Sequence, residues 1–140
     1  MSRSFLAIVA GLAFALTACA EDEVFSLEVG ECFDDPDGAD RTVESVPVVD
    51  CDQPHDHEVF ATFELVGSSW PGADQVEEDA SDGCLERFED YIGTTYPESE
   101  LLASAFWPSE ESWAADDREV ICFVYDPDGP VTGTLEGANR

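Results

Sequence analysis

Of the chain's 5 cysteines, Cys19 follows an N-terminal apolar run, and the other four, Cys32, Cys51, Cys84 and Cys122, are spread through the chain with none in a C-x-x-C pair; no other feature restricts the possible folds so sharply. Only two histidines, His55 and His57, accompany them, so a structural zinc site, whose ligands come in closely spaced pairs, is disfavoured. An even set of thiols reads instead as two disulfides, provided that the chain folds in an oxidising compartment. Four cysteines permit three connectivities. The favoured one is Cys32 with Cys51, closing a short loop between two expected strands, and Cys84 with Cys122, pinning a helix to a sheet. Each bridge would contribute about 3 to 4 kcal/mol by constraining the unfolded chain, a large share of the roughly 5 to 15 kcal/mol that holds a domain together.

The N-terminus speaks to the compartment. Arg3 is followed by an apolar run of 14 residues, Phe5 to Ala18, too short to span about 30 Å of hydrocarbon but suited to the core of an export signal. Leu16-Thr17-Ala18-Cys19 resembles the lipobox of bacterial lipoproteins. The resemblance implies that residues 1–18 are removed and that Cys19 carries a diacylglycerol and becomes the new N-terminus. Two or more acyl chains anchor a protein stably where one does not. Residues 19–23 are then a lipidated tether, and the chain is expected on the extracytoplasmic face of the cell membrane.

The charge excludes some functions. Against 33 Asp and Glu stand 5 arginines and no lysine, for a formal charge of -28. Nucleic-acid binding depends on cations that neutralise phosphates and is excluded as a role. Anionic headgroups are repelled in the same way. Cationic partners, loosely held divalent ions or simple solvation of the surface suit such a field. With 44% hydrophobic residues, the chain has enough apolar surface for one folded core.

Periodicity supplies the elements. Val24 to Val29, Val43 to Val49, His57 to Val66, Leu101 to Trp107 and Val120 to Tyr125 read as strands, and Thr132 to Glu136 as a short edge strand. In His57 to Val66, strict alternation puts Val59, Ala61, Phe63 and Leu65 on one face and Phe60, Thr62, Glu64 and Val66 on the other. Asp74 followed by Glu77 resembles a capping box opening a helix that runs to about Tyr91. Val76, Ala80, Cys84, Phe88 and Tyr91 or Ile92 form its apolar stripe, and Gly83 lets the helix pack closely against the sheet. Ser109 caps a short helical turn over residues 110–116. Asp34 to Asp40 and Asp126 to Gly129 are turns, since an EF-hand loop would need a longer ligand series and flanking helices.

Cys51-Asp52-Gln53-Pro54-His55-Asp56-His57-Glu58 is the most suggestive segment chemically. In an extended chain His55 and His57 would face the same way and could offer two nitrogens to one metal. The reading preferred is a turn entering a strand, shaped by Pro54 and Asp56, with the imidazoles satisfied by carboxylates. No nucleophile elbow, phosphate loop, zinc-protease helix or nucleotide fingerprint is present, so neither catalysis, a cofactor nor a resident metal is expected.

The order of these features resembles the septum formation domain of actinobacterial envelope proteins. The resemblance is carried by Gly30-Glu31-Cys32-Phe33, by Val48-Val49-Asp50-Cys51 with Pro54-His55-Asp56 and Glu58-Val59-Phe60, and by Trp70-Pro71-Gly72. It continues in Cys84, Pro108, Trp113, Asp117-Arg118-Glu119-Val120-Ile121-Cys122 and Thr132 to Gly137. Asp116 stands where the family pattern has glycine, and Thr134 where it has serine. The family implies a cell-division role without defined chemistry. Pro54, His55, Asp56, Trp113, Asp117 and Arg118 are thus motif residues, with His55 and Asp56 organising the loop at Cys51 and Arg118 expected to meet a carboxylate.

The expected protein is an α+β domain over residues 24–137, with a frayed tail at 138–140. It has a mainly antiparallel sheet, one principal helix packed across it and two disulfides. Its expected role is noncatalytic, binding an envelope protein or cell-wall partner in cell division. The alternative is an extracytoplasmic binder of a metal ion or small ligand through His55 and His57.

Overall fold

Apolar residues at helical spacing from Val76 to Ile92 need a surface to bury against, and the sheet provides it. In the computed structural model, which describes residues 21–23, 27–35 and 45–140, Ala73–Ile92 forms the principal helix, α1. Val76, Ala80, Cys84, Phe88 and Ile92 are its buried residues, as the stripe requires. Its start differs from the expected capping box. Gly72 precedes the helix with no side-chain cap, and Asp74 lies inside the first turn, where its charge meets the positive end of the helix dipole. Gly93, at φ 89°, closes the other end by donating its N–H to Glu89 O.

The strands are β1 (Glu21–Glu23), β2 (Cys32–Phe33), β3 (Ser45–Val49), β4 (His57–Glu64), β5 (Leu102–Phe106) and β6 (Glu119–Tyr125), with a short helix, α2 (Glu110–Ala114), between the last two. Their order across the sheet is β1-β3-β2-β4-β6-β5, and every neighbouring pair is antiparallel. The sheet curls. Ser109 caps α2 in a reciprocal box with Ser112. Both expected bridges are present, Cys32–Cys51 and Cys84–Cys122, with Cα separations of 5.3 and 5.6 Å.

Apolar residues pack on both faces of the sheet. Phe60, Ala61, Val120, Cys122 and Val124 lie with the buried stripe of α1. Leu27, Phe33, Val46, Val59, Ile121 and Phe123 fill the other side. Strand β6 alternates between the two clusters, as a central strand covered on both faces must.

Strand β4 departs from the expected alternation. Its register moves from Val59 opposite Phe123 to Ala61 opposite Cys122, so Phe60 is an extra, bulged residue. A bulge reverses the side-chain phase. Val59 therefore belongs to the far cluster, while Phe60 and Ala61 both join the α1 side.

Other expectations shift at the ends of the chain. Residues 21–23, expected in the tether, pair with Ser45 to Pro47. Of the strand expected at 24–29, residues 24–26 lie outside the described residues and Leu27 to Val29 are not strand. The signal peptide, Cys19 and most of the turn at 34–40 also lie outside the described residues. Thr132 to Glu136 is not an edge strand, because its polar groups turn inward to side-chain and loop partners.

Candidate functional site

Three groups of polar residues deserve a chemical reading, and the bulge positions the first. Before Phe60, the even-numbered residues of β4 face α1, which sends Glu58 into the interior. Glu58 is 0% exposed. Its Oε1 accepts from Tyr91 Oη at 2.7 Å and Thr134 Oγ1 at 2.6 Å, and its Oε2 accepts from the Leu135 N–H at 2.7 Å. Three donors around one carboxylate meet the requirement for burying a charge. Burial, and then the hydrogen bond and charge of Glu58, push the Tyr91 phenol well above its ordinary value of 10.0, so it stays a donor.

Glu58 anchors the last ten residues. His55 and Val131 exchange two backbone hydrogen bonds of 2.9 Å, and the Gly133 N–H donates to Cys51 O at 2.6 Å. Further on, Gly137 donates to Tyr91 O and Asn139 to Ile92 O. The C-terminal strap is thereby fastened to the Cys51 loop, to β4 and to the end of α1. Arg140, expected in a frayed tail, pairs with Asp126.

His55 lies beside this anchor and is itself 0% exposed. Its Nδ1–H donates to Gln53 O at 2.9 Å, which leaves Nε2 buried and without a partner among the described residues. One potential ligand atom from each of Cys32, His55 and Glu58 lies within 4.8 Å of the others. Cys32 is in a disulfide and so offers no thiolate, and Glu58 is occupied by its three donors. These residues do not fit a resident metal.

His57 has different company. Its Nε2–H donates to Asp35 Oδ1 at 2.7 Å, and its ring packs against Phe33, Phe123 and Tyr125. The carboxylate partner expected for each imidazole is found for His57 and not for His55, whose Nδ1–H meets the Gln53 carbonyl instead; nor does the shared face of the alternative reading arise, because His55 is tied to Val131 ahead of β4 while His57 begins that strand on the far side. Asp56 joins β2 to this region, accepting from the Asp35 N–H while its own N–H donates to Asp34. Asp35, Asp56, His57, Ser104, Phe123, Tyr125, Asp126 and Gly129 line an open groove of about 390 Å³. The backbone N–H of Asp128, followed by Arg140, lowers the Asp126 pKa from its ordinary 3.8.

Arg118 corrects a further expectation. It meets no carboxylate within ion-pair distance among the described residues. Its Nε–H donates to Gly67 O at 3.0 Å and its Nη1 to Trp113 O and Asp117 O at 2.8 and 2.5 Å. Its guanidinium lies 3.8 Å over the Trp113 ring. A planar fork that also stacks suits converging carbonyls as well as it suits a carboxylate. Trp113, 4% exposed, meets Trp70 edge-on at 5.6 Å, and Asp117 Oδ1 accepts from the Glu119 N–H. Asp116 has a φ of 69°, in the left-handed region that favours glycine, the residue that the resemblance leads one to expect there.

The motif residues therefore gather in two places rather than one. Pro54, His55 and Asp56 lie at the loop joined to the strap, and Trp113, Asp117 and Arg118 at the turn between α2 and β6. Glu58, Tyr91 and Thr134 were not marked as a unit by the sequence, since Glu58 is one acid among 33 Asp and Glu. Its only local signal is an acid directly ahead of the apolar run Val59-Phe60-Ala61. A family model described as Septum formation matches residues 12–122. No curated protein and no solved structure matches the chain.

Proposed function

The chain belongs to the septum formation family, and on that premise we propose that it is a noncatalytic module of the cell envelope, held to the extracytoplasmic face of the membrane by lipid on Cys19, that binds a protein or cell-wall partner during cell division. The observation that carries this reading is the use the fold makes of its distinctive polar side chains. Glu58 takes three internal donors, Arg118 serves three backbone carbonyls, and His55 is sealed from solvent. Groups so committed hold the fold rigid from within, whereas a reacting centre would need a nucleophile or base within reach of a substrate. Two disulfides suit an oxidising compartment, and the acidic groove remains accessible.

The test is to follow the full-length chain in dividing cells together with a Cys19→Ser variant. Enrichment at septa, lipid on Cys19 by mass spectrometry and loss of membrane retention in the variant are expected. Uniform distribution, with normal septa when the protein is removed, would refute the division role, and an unmodified Cys19 would refute the anchor.

A further inference from the structure

Strand β5 ends the described sheet, paired with β6 on one side only. Open edges expose unpaired N–H and C=O groups, and proteins ordinarily blunt them with charged residues, proline or a bulge. Leu102-Ala103-Ser104-Ala105-Phe106 has none of these, in a chain of which 27% of residues are charged. Leu102 and Ser104 are exposed, and Trp107, which follows the strand, is 39% exposed. An uncharged, unpaired edge in so acidic a chain is suited to receiving another strand.

The register says what the incoming strand would meet. Leu102, Ser104 and Phe106 stand opposite Tyr125, Phe123 and Ile121, so these six residues share one face. That face contains the groove, which Ser104 lines together with Phe123, Tyr125, His57 and the acids Asp35, Asp56 and Asp126. A residue added directly opposite Ser104 would project to the same face. Arg140 offsets Asp126, whereas Asp35 and Asp56 pair with no arginine among the described residues. Asp35 already accepts from His57 and Asp56 from the Asp35 N–H, yet with no arginine among the described residues to offset either carboxylate, the two together with the aromatic rings favour a cation.

We propose that β5 is a docking edge for an extended segment of a partner protein, which adds a strand beside Leu102–Phe106 and places a lysine or arginine opposite Ser104 into the acidic groove. The proposal rests on the partner-binding reading above and specifies the surface and chemistry. Main-chain pairing supplies affinity and the cation supplies selection. A second copy of this chain is disfavoured as the occupant, because two molecules of charge -28 repel and each has no lysine and only 5 arginines against 33 Asp and Glu.

The experiment uses full-length protein in detergent and two labelled ten-residue peptides of alternating threonine and valine, one with a central lysine and one with a central glutamate. Binding is read by anisotropy and the contact by hydrogen exchange. The lysine peptide is expected to bind, with slowed exchange in β5, and to weaken as salt rises. Ser104→Lys should reduce its affinity at least tenfold and Ser104→Glu should not, a sign dependence that damage to the fold would not produce. Equal binding of both peptides, protection confined to other elements, or a dimer abolished by Ser104→Lys would overturn the proposal. So would absence of binding; a photo-cross-linker at Ser104 and another at Glu86 on α1 then separate the two readings. Specific envelope adducts from Glu86 alone would leave the binding role standing without this surface, and adducts from neither would count against both.

Discussion

Replacing Glu58 by glutamine tests whether the buried carboxylate fastens the C-terminal strap. The amide oxygen can keep the Tyr91 and Thr134 hydroxyls, which both donate to Oε1. Its NH2 group then faces the N–H of Leu135, which had donated to Oε2, so a buried donor is left unsatisfied at about 1 to 3 kcal/mol. The two retained bonds lose their charge assistance, about 1 kcal/mol each. Burying a neutral amide costs less than burying a carboxylate and returns part of this, leaving a net loss of about 2 to 4 kcal/mol. Turning the amide the other way keeps the Leu135 N–H on its oxygen and lets the NH2 donate to the Tyr91 and Thr134 hydroxyl oxygens, but both hydroxyl hydrogens then lose their acceptor. Urea unfolding followed by tryptophan fluorescence measures the loss, and hydrogen exchange reports on the Leu135 amide. Tyr91→Phe should cost about 1.5 to 3 kcal/mol, and the double variant less than the sum, because both changes act on the same Tyr91–Glu58 hydrogen bond, one weakening and one removing it. A Glu58→Gln protein within 1 kcal/mol of the parent, with the Leu135 amide still protected, would refute the reasoning.

Removing the bridges one at a time should cost about 3 kcal/mol for Cys32→Ala/Cys51→Ala and about 4 for Cys84→Ala/Cys122→Ala, since the second pair closes 38 residues against 19; denaturation midpoints check the order. Glu119 stands directly opposite Glu64, and burial, then Asp117 and Glu64, raise its pKa above the ordinary 4.5. A raised carboxyl pKa means that ionisation is resisted by the fold, so stability falls as pH rises through the interval above 4.5. Glu119→Gln should accordingly stabilise by about 0.2 to 1 kcal/mol at pH 7, with the advantage disappearing below pH 4.5 in a series of thermal melts. Asp116→Gly, by removing a side chain from a residue at φ 69°, should raise stability by up to about 1 kcal/mol; a lower melting temperature would show that aspartate makes compensating contacts in that turn.

Much of the fold was legible in local pattern. Residues Val76, Ala80, Cys84, Phe88 and Ile92 recur at the helical period whatever they pack against, and this placed both α1 and the half-cystine that joins it to β6. Apolar residues at consecutive positions marked β6 as central, and Ser109 marked the start of α2, because capping is settled within one turn. The apolar run before Cys19, the even set of remaining cysteines and the acid excess are likewise properties of the chain itself.

What the tertiary structure decided were the points at which distant segments compete for the same groups. Alternation alone cannot reveal the bulge at Phe60, since an extra residue is defined by the register of β6 opposite it, yet that bulge sets which face Glu58 shares with α1. Glu58 is distinguished from the chain's other acids only when Tyr91, Thr134 and Leu135, 33 to 77 positions away, converge on it. The same convergence draws residues 132–136 away from strand pairing. His55 and His57, two positions apart, separate because one is tied to Val131 and the other opens β4 among the rings of the far face. Periodicity is a local consequence of backbone geometry, whereas a charge can be buried only where several remote donors meet, and that meeting exists only in the folded chain.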